Sequence, residues 1–250
     1  MLRLSPSLLP LSTHVERGPG GAALVLLSLL LAACAGSSST PTSTTMTASS
    51  SAPAGSASAI VQAGASVLRT PAAPVAPERI ATPEIQQLVT TMIAAMRQAP
   101  GVGLAAPQLG VPLRILVLED TPERMGALTP DEVRERERVV VPVRVFINPV
   151  LRPIGDDRRV FFEGCLSVKG LTALVERYAE VEVTGLDEHG QPQTMHVRGW
   201  PARILQHEVD HLDGTLYVDR MMSRSLSTIE HARARFSGKP IAEVRRLLGL

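Results

Sequence analysis

The sequence predicts an α+β domain, with antiparallel sheets packed around a central helix. Three observations predict it. A helical apolar pattern, "PEIQQLVTTMIAAMRQ", opens the region rich enough in apolar residues to fold; a series of strand-like segments follows; then comes a second helical pattern, "ARILQHEVDHL". Helix, consecutive strands, then helix is the order of an α+β layer architecture rather than of alternating βαβ units.

In the first helical segment Ile85, Leu88, Val89, Met92, Ile93 and Met96 recur at helical spacing. Thr82 and Pro83 make a cap and first turn, and Gly101 lies just past the end. The methionines read as core. "LRILVLED" reads as a buried strand, and the charged "TPERMGALTPDEVRERER" as a solvated insertion with a helical turn. "VVVPVRVFINPVL" and "RRVFFEGCLSV" read as strands. "ALVERYAEVEVTGLDEHGQPQTMHVRG" alternates, which predicts two strands joined by the turn "DEHGQP". Pro201 fits the first turn of the second helix and Gly214 fits its end. A last amphipathic piece closes the chain.

The 250 residues carry a net charge of +1 and are 44% apolar. That is enough for one sizeable core and gives no basic excess, so no direct nucleic-acid binding is expected. The apolar residues are unevenly spread. Residues 22 to 35, "AALVLLSLLLAACA", are uncharged and too short to span a bilayer, which takes about 20 residues. With Arg17 as positive flank they suit the apolar region of a signal peptide. The ending "LAAC" resembles a bacterial lipoprotein signal in which Cys34 is lipidated, which implies a membrane anchor and a cell-envelope location. The competing readings are a cytoplasmic product starting at Met46 and an organelle signal.

Residues 35–77 are dominated by Ser, Thr, Ala and Pro, a composition that predicts a disordered tether. The predicted organisation is therefore a signal over 1–34, a tether over 35–77, a folded domain over 78–238 and a C-terminal extension over 239–250. Cys34 and Cys165 are the only cysteines. If Cys34 is lipidated or removed no disulfide is possible, and Cys165 is a core residue or a ligand.

"HEVDH", 207 to 211, carries the chemistry. His207 and His211 are four apart, one turn along one helix face, so both imidazoles reach one divalent ion. Glu208 stands beside them as a base for a water on that ion. A catalytic site of this kind takes three protein ligands. A third histidine at position 217 would suit one protease pattern, but that position holds Tyr217. Glu230, 19 residues after His211, fits a glutamate-ligated metallopeptidase, and Cys165 offers a thiolate. Spacing alone does not choose between Glu230 and Cys165.

Three ordered stretches do more. "GVGLAAPQLG" at 101–110, "EGCLS" at 163–167 and "QHEVDH" at 206–211 together resemble the three motifs of peptide deformylases, over about residues 80 to 225. The resemblance is strongest to the branch found in organelles and some bacteria. It implies removal of the formyl group from the N-terminal formyl-methionine of polypeptides. It implies one divalent metal, Fe2+ first and Zn2+ as the other option, held by Cys165, His207 and His211. Glu208 would be the general acid and base. Gln108 and the backbone N–H of Leu166 would hold the developing oxyanion, a role worth about 3 kcal/mol for such a donor. The implied partners are N-formyl-methionyl peptides, and the ribosome if the protein is cytosolic. A catalytically silent formyl-peptide binder is the alternative from a different class.

Helix geometry suggests the pocket. Trp200 and Ile204 stand seven and three residues before His207, so they share its face and would wall an apolar slot for a methionine side chain. Strand alternation would put Phe161, Glu163 and Cys165 on one face, adding Phe161 to that wall. Glu163 then needs a cationic or hydrogen-bonding partner, with Arg203 among several candidates. Gly101 and Gly103 would let the backbone pass close to a bound peptide.

Overall fold

The computed structural model describes residues 59–99, 101–126 and 128–250. The signal segment 1–34, Cys34, Met46 and the first part of the tether lie outside the described residues.

The described chain begins with a 3-10 turn, Ser66–Arg69, then α1 (Pro77–Ile80) and α2 (Pro83–Gln98). Strands β1 (Gly103–Ala105) and β2 (Ile115–Asp120) follow, then the short helices α3 (Pro122–Met125) and α4 (Pro130–Glu135). The main run of strands is β3 (Val141–Pro153), β4 (Arg158–Cys165), β5 (Val168–Tyr178), β6 (Glu180–Leu186) and β7 (Pro192–Arg198). The chain closes with α5 (Trp200–Leu212), α6 (Tyr217–Arg220), β8 (Ser227–Thr228), α7 (Ile229–Phe236) and α8 (Ile241–Leu248).

Two antiparallel sheets form. One has the order β1-β2-β3-β6-β7 and the other β4-β5-β8. The first sheet is covered on both faces, and β2 shows why "ILVL" has to be apolar throughout. Ile115 and Val117 pack with Ile85, Val89, Met92 and Met96 of α2. Leu116 and Leu118, on the opposite face, pack with Ala202, Ile204, Leu205 and Leu212 of α5. Among the described residues no helix is long and apolar enough to cross a membrane.

Several expectations are corrected. Thr82 does stand at the start of α2, but its hydroxyl donates to the Arg79 carbonyl at 2.7 Å instead of capping the helix. The segment expected to be two strands holds the end of β5 and the whole of β6 and β7. The chain switches sheets at Ala179, so β5 stays with β4 while β6 joins β3.

The tether does not extend to residue 77. From residue 59 onward the chain is packed: the Val61 N–H donates to the Gln108 carbonyl at 2.9 Å, and the Ala63 N–H to the Ser167 carbonyl at 2.7 Å. Leu68 is buried beside Val168, Ala173 and Tyr217. The Asn148 side chain bonds both the N–H and the carbonyl of Val75, each at 2.8 Å. Average composition hid these scattered apolar anchors. The stretch from 239 is packed as well, with Val244 of α8 buried against Val160, Leu174 and Phe236.

Candidate metal centre

Helix α5 supplies most of the site. It begins at Trp200 with Pro201 in its first turn, where the missing N–H leaves no helical bond unmade. His207 and His211 sit one turn apart with ring centroids at 5.0 Å. β4 runs alongside and ends in Cys165, where its register with β5 shifts between Gly164 and Cys165. One ligand atom from each of Cys165, His207 and His211 lies within 4.8 Å of the other two. Cys165 Sγ is 3.2 Å from His211 Nε2.

Among the described residues Glu230 takes no part in this group; it is exposed on α7. The glutamate-ligated alternative therefore has no support in the geometry. Tyr217, at the position a third histidine would take, stacks on His207 with centroids 6.2 Å apart.

Glu163 has more partners than the sequence suggested. Arg177 donates to its two oxygens through Nε and Nη2, both at 2.9 Å, and Arg203 Nη1 donates at 2.6 Å. His207 Nδ1 faces the same carboxylate at 2.9 Å. With Nδ1–H donating there, His207 Nε2 is left with its lone pair toward the cluster. Burial alone would raise the Glu163 pKa, but the hydrogen bond from His207 and the charge of Arg177 hold it well below the usual carboxylate range. A further carboxylate, Asp210, accepts from Arg177 Nη1 at 2.5 Å and from Arg220 through two bonds of 2.8 Å.

Five buried side-chain atoms lack a hydrogen-bond partner among the described residues, and two of them, Glu208 Oε2 and His211 Nδ1, belong to the histidine–glutamate motif. Burial pushes the Glu208 pKa up to about 7, so this carboxyl takes and releases a proton near neutrality. Burial pushes the His211 pKa well below its usual value, which keeps the imidazole neutral and its lone pair available. A soft sulfur, two imidazole nitrogens and an unpaired carboxylate oxygen beside them make a donor set that fits one divalent transition metal and a water.

Gln108 is 2% exposed. Its Oε1 accepts from the Ala105 N–H at 2.8 Å, which turns Nε2 toward Ser167 Oγ at 3.3 Å and Cys165 Sγ at 3.6 Å. Gly103 has a different reason from the one expected. A Cβ there would stand 2.3 Å from Glu208 Oε1, so the glycine makes room for the carboxylate itself. At Gly101 a Cβ would meet Leu166 Cδ1 at 2.8 Å.

A cavity of ≈ 280 Å³ opens over the cluster, and its lining includes Leu166, Trp200, Ile204 and both glycines. Phe161 does not line it, contrary to the alternation argument. Phe161 stands edge-on to Trp200 with centroids 6.4 Å apart, beside the Arg203 guanidinium. Phe162 is the β4 aromatic that lines the cavity. Sequence reasoning also missed Arg177, Asp210 and Gln206. Arg177 gave no local signal, since Lys169 and Glu176 stand in the same strand.

The polypeptide deformylase family model matches residues 57–226. A chloroplastic peptide deformylase 1A of Solanum lycopersicum is 51% identical over 172 residues, 69% of this chain and 62% of that protein. The match thus spans less than two thirds of that relative's length. A mitochondrial peptide deformylase of Homo sapiens is 43% identical over 173 residues, 69% of this chain and 71% of that protein. Among solved structures, a class I type b peptide deformylase of Acinetobacter baumannii with Met-Ala-Ser bound is 33% identical. It superposes with a TM-score of 0.58 over 65% of this chain and 96% of that one. Both curated relatives are named for organelles, which overturns the expectation of a cell-envelope lipoprotein anchored through Cys34. On the family match, the similarity to these relatives and the shared architecture, the chain belongs to the polypeptide deformylase family.

Proposed function

We propose that the domain removes the formyl group from the N-terminal formyl-methionine of polypeptides and releases formate. The observation that carries this reading is the grouping of Cys165, His207 and His211 within 4.8 Å, with the partnerless Glu208 Oε2 beside them. These three residues hold the metal, Fe2+ by the family resemblance, with Zn2+ also suited to the donor set. When bound, the ion supplies Lewis acidity and lowers the pKa of a water toward neutrality.

The chain's own residues do the rest. Glu208 takes the water's proton at Oε2 and passes it to the leaving amine. Its raised pKa supports both halves of that task. Gln108 Nε2 and the Leu166 backbone N–H donate to the oxygen on which negative charge develops. Trp200, Ile204, Phe162 and Leu166 exclude water from the slot that takes the methionine side chain, and the cavity of ≈ 280 Å³ supports a ligand of that size. The organellar names of the relatives support an organellar destination.

The test is formate release from formyl-Met-Ala-Ser, followed through chelation and re-addition of Fe2+ or Zn2+. Release that disappears with the metal and returns with it is the expected result. Cleavage of a peptide bond, or binding without formate, would overturn the proposal.

A further inference from the structure

A second cavity, of ≈ 950 Å³, runs on from the metal pocket. Val102, Phe162, Gly164 and Ile229 line both, so the two form one continuous groove. The outer part is built by α3 and α4 on one side and by α7 and α8 on the other. α7 and α8 lie past the residues that the family model matches.

The charges along this outer part are unequally satisfied. Arg138 is held by Asp120 through bonds of 2.6 and 2.8 Å, and Arg124 donates to the Glu119 carbonyl at 2.9 Å. The two carboxylates that line the groove are engaged by backbone. Glu132 accepts from the Thr129 N–H, and Glu135 from the Ile241 N–H, each at 2.9 Å. Arg136 has its nearest carboxylate oxygen, on Glu132, only at 3.9 Å. It lies 5.3 Å from the centroid of the Trp200 ring, which lines the inner cavity. Arg233 is exposed and makes no ion pair among the described residues.

We propose that this outer groove holds the stretch of polypeptide that follows the formyl-methionine and selects for acidic side chains in it. The inner cavity has room for little beyond the first residue, so a longer substrate must leave along the groove's open continuation. There it meets Arg136, beside Trp200 of the inner cavity, and Arg233 on α7. A guanidinium at the groove wall offers a carboxylate two parallel hydrogen bonds, so the preference is for Asp and Glu over merely polar residues. Arg136 and Arg233 are specificity residues in this reading, which rests on the proposed deformylase activity.

The experiment compares the metal-loaded enzyme on three peptides: formyl-Met-Ala-Ser, and the same peptide extended by Glu-Glu-Glu or by Lys-Lys-Lys. The Glu-extended peptide should have a kcat/KM about fivefold above that of the Lys-extended one at low salt, a ratio typical of one or two partly exposed ion pairs. The ratio should shrink as salt rises. Arg233→Glu should bring it to one or below, and Arg136→Gln should reduce it. Because each variant is judged by the ratio of two peptides, a folding defect that lowers both rates alike leaves the readout intact. Equal rates for the two extended peptides, or a ratio indifferent to Arg233→Glu, would overturn the groove proposal while formyl-Met-Ala-Ser is still turned over. Failure of all three peptides would instead overturn the activity on which it rests. A dimer in sedimentation that Arg233→Glu dissolves, with no peptide preference, would give the groove to a second copy and also overturn it.

Discussion

Helices α2 and α5 cover opposite faces of one sheet and do it with different chemistry. α2 buries Ile85, Val89, Met92, Ala95 and Met96, all apolar. α5 buries Ile204, Leu205 and Leu212, but also Arg203, Gln206, Glu208, Asp210 and His211. A buried polar group is costly unless it is paired. On α5, Arg203 is paired with Glu163, Gln206 with Tyr178, and Asp210 with Arg177 and Arg220. The polar atoms of α5 left over after that pairing are Trp200 Nε1, Glu208 Oε2 and His211 Nδ1. Two of those three belong to the metal-site motif. The contrast teaches that α2 is a cover and α5 a scaffold whose buried polar groups are paired apart from Trp200 Nε1 and two atoms of the histidine–glutamate motif.

The sharpest way to test that contrast is to change α5 where the partners are missing. Cys165→Ala leaves two imidazoles and should abolish tight metal binding, as metal analysis after gel filtration would reveal. Metal retained at one equivalent would break the ligand assignment. Glu208→Gln keeps the shape and removes the base, so formate release should fall at least about a hundredfold with metal still bound. Undiminished turnover would mean the proton is carried elsewhere.

The next effect in size comes from the partners. Glu163→Gln leaves Arg177 and Arg203 buried without their shared counter-charge, and removing one member of such a pair costs about 3–5 kcal/mol. It also weakens the bond that orients His207, so metal affinity should drop about 10–100-fold. A competitive chelator titration reads the affinity, and a stability loss with unchanged affinity would separate Glu163 from the metal site. Met92→Ala on α2 is the control for the other helix. It should cost about 2–5 kcal/mol through a cavity beneath the sheet, with metal affinity untouched. If it loosened the metal as well, the two helices would not be separable in function.

These partners explain what could be read in advance. The apolar periodicity of α2 and the unbroken run of β2 are local signals, and both elements form where that periodicity puts them. The spacing of His207 and His211 is likewise local. That Cys165 joins the two histidines could be suspected only through the order of three motifs, since it lies 46 residues from His211. The Glu163–Arg177 and Arg177–Asp210 pairs span 14 and 33 residues and leave no local trace. Phe161 was misplaced because strand alternation was carried through a register shift that the sequence does not announce. The packed stretch from residue 59 was masked by its composition, because the fold uses only a few of its side chains, Leu68 and Val75 among them.

The smallest effect sharpens the comparison most, because it touches neither metal nor ligand. Gln206 stands one residue before His207, and its amide completes a strand-like pair with the backbone of Tyr178. Oε1 accepts from the Tyr178 N–H at 3.0 Å and Nε2 donates to the Tyr178 carbonyl at 2.9 Å. Tyr178 is the last residue of β5, where the chain leaves one sheet for the other. The amide therefore engages both backbone groups of the residue at that switch, and it ties α5 to that corner. Gln206→Leu conserves much of the volume but removes both of these bonds to the Tyr178 backbone, at a cost of about 1–3 kcal/mol. Thermal unfolding should register that loss, while metal content stays at one equivalent and the rate per folded molecule changes little. Gln206→Glu should retain the bond from the Tyr178 N–H and lose the one to its carbonyl. If Leu and Glu at 206 prove as stable as Gln, the polar face of α5 is held by its ion pairs alone. If instead the metal is lost, the amide belongs to the site and not only to the scaffold.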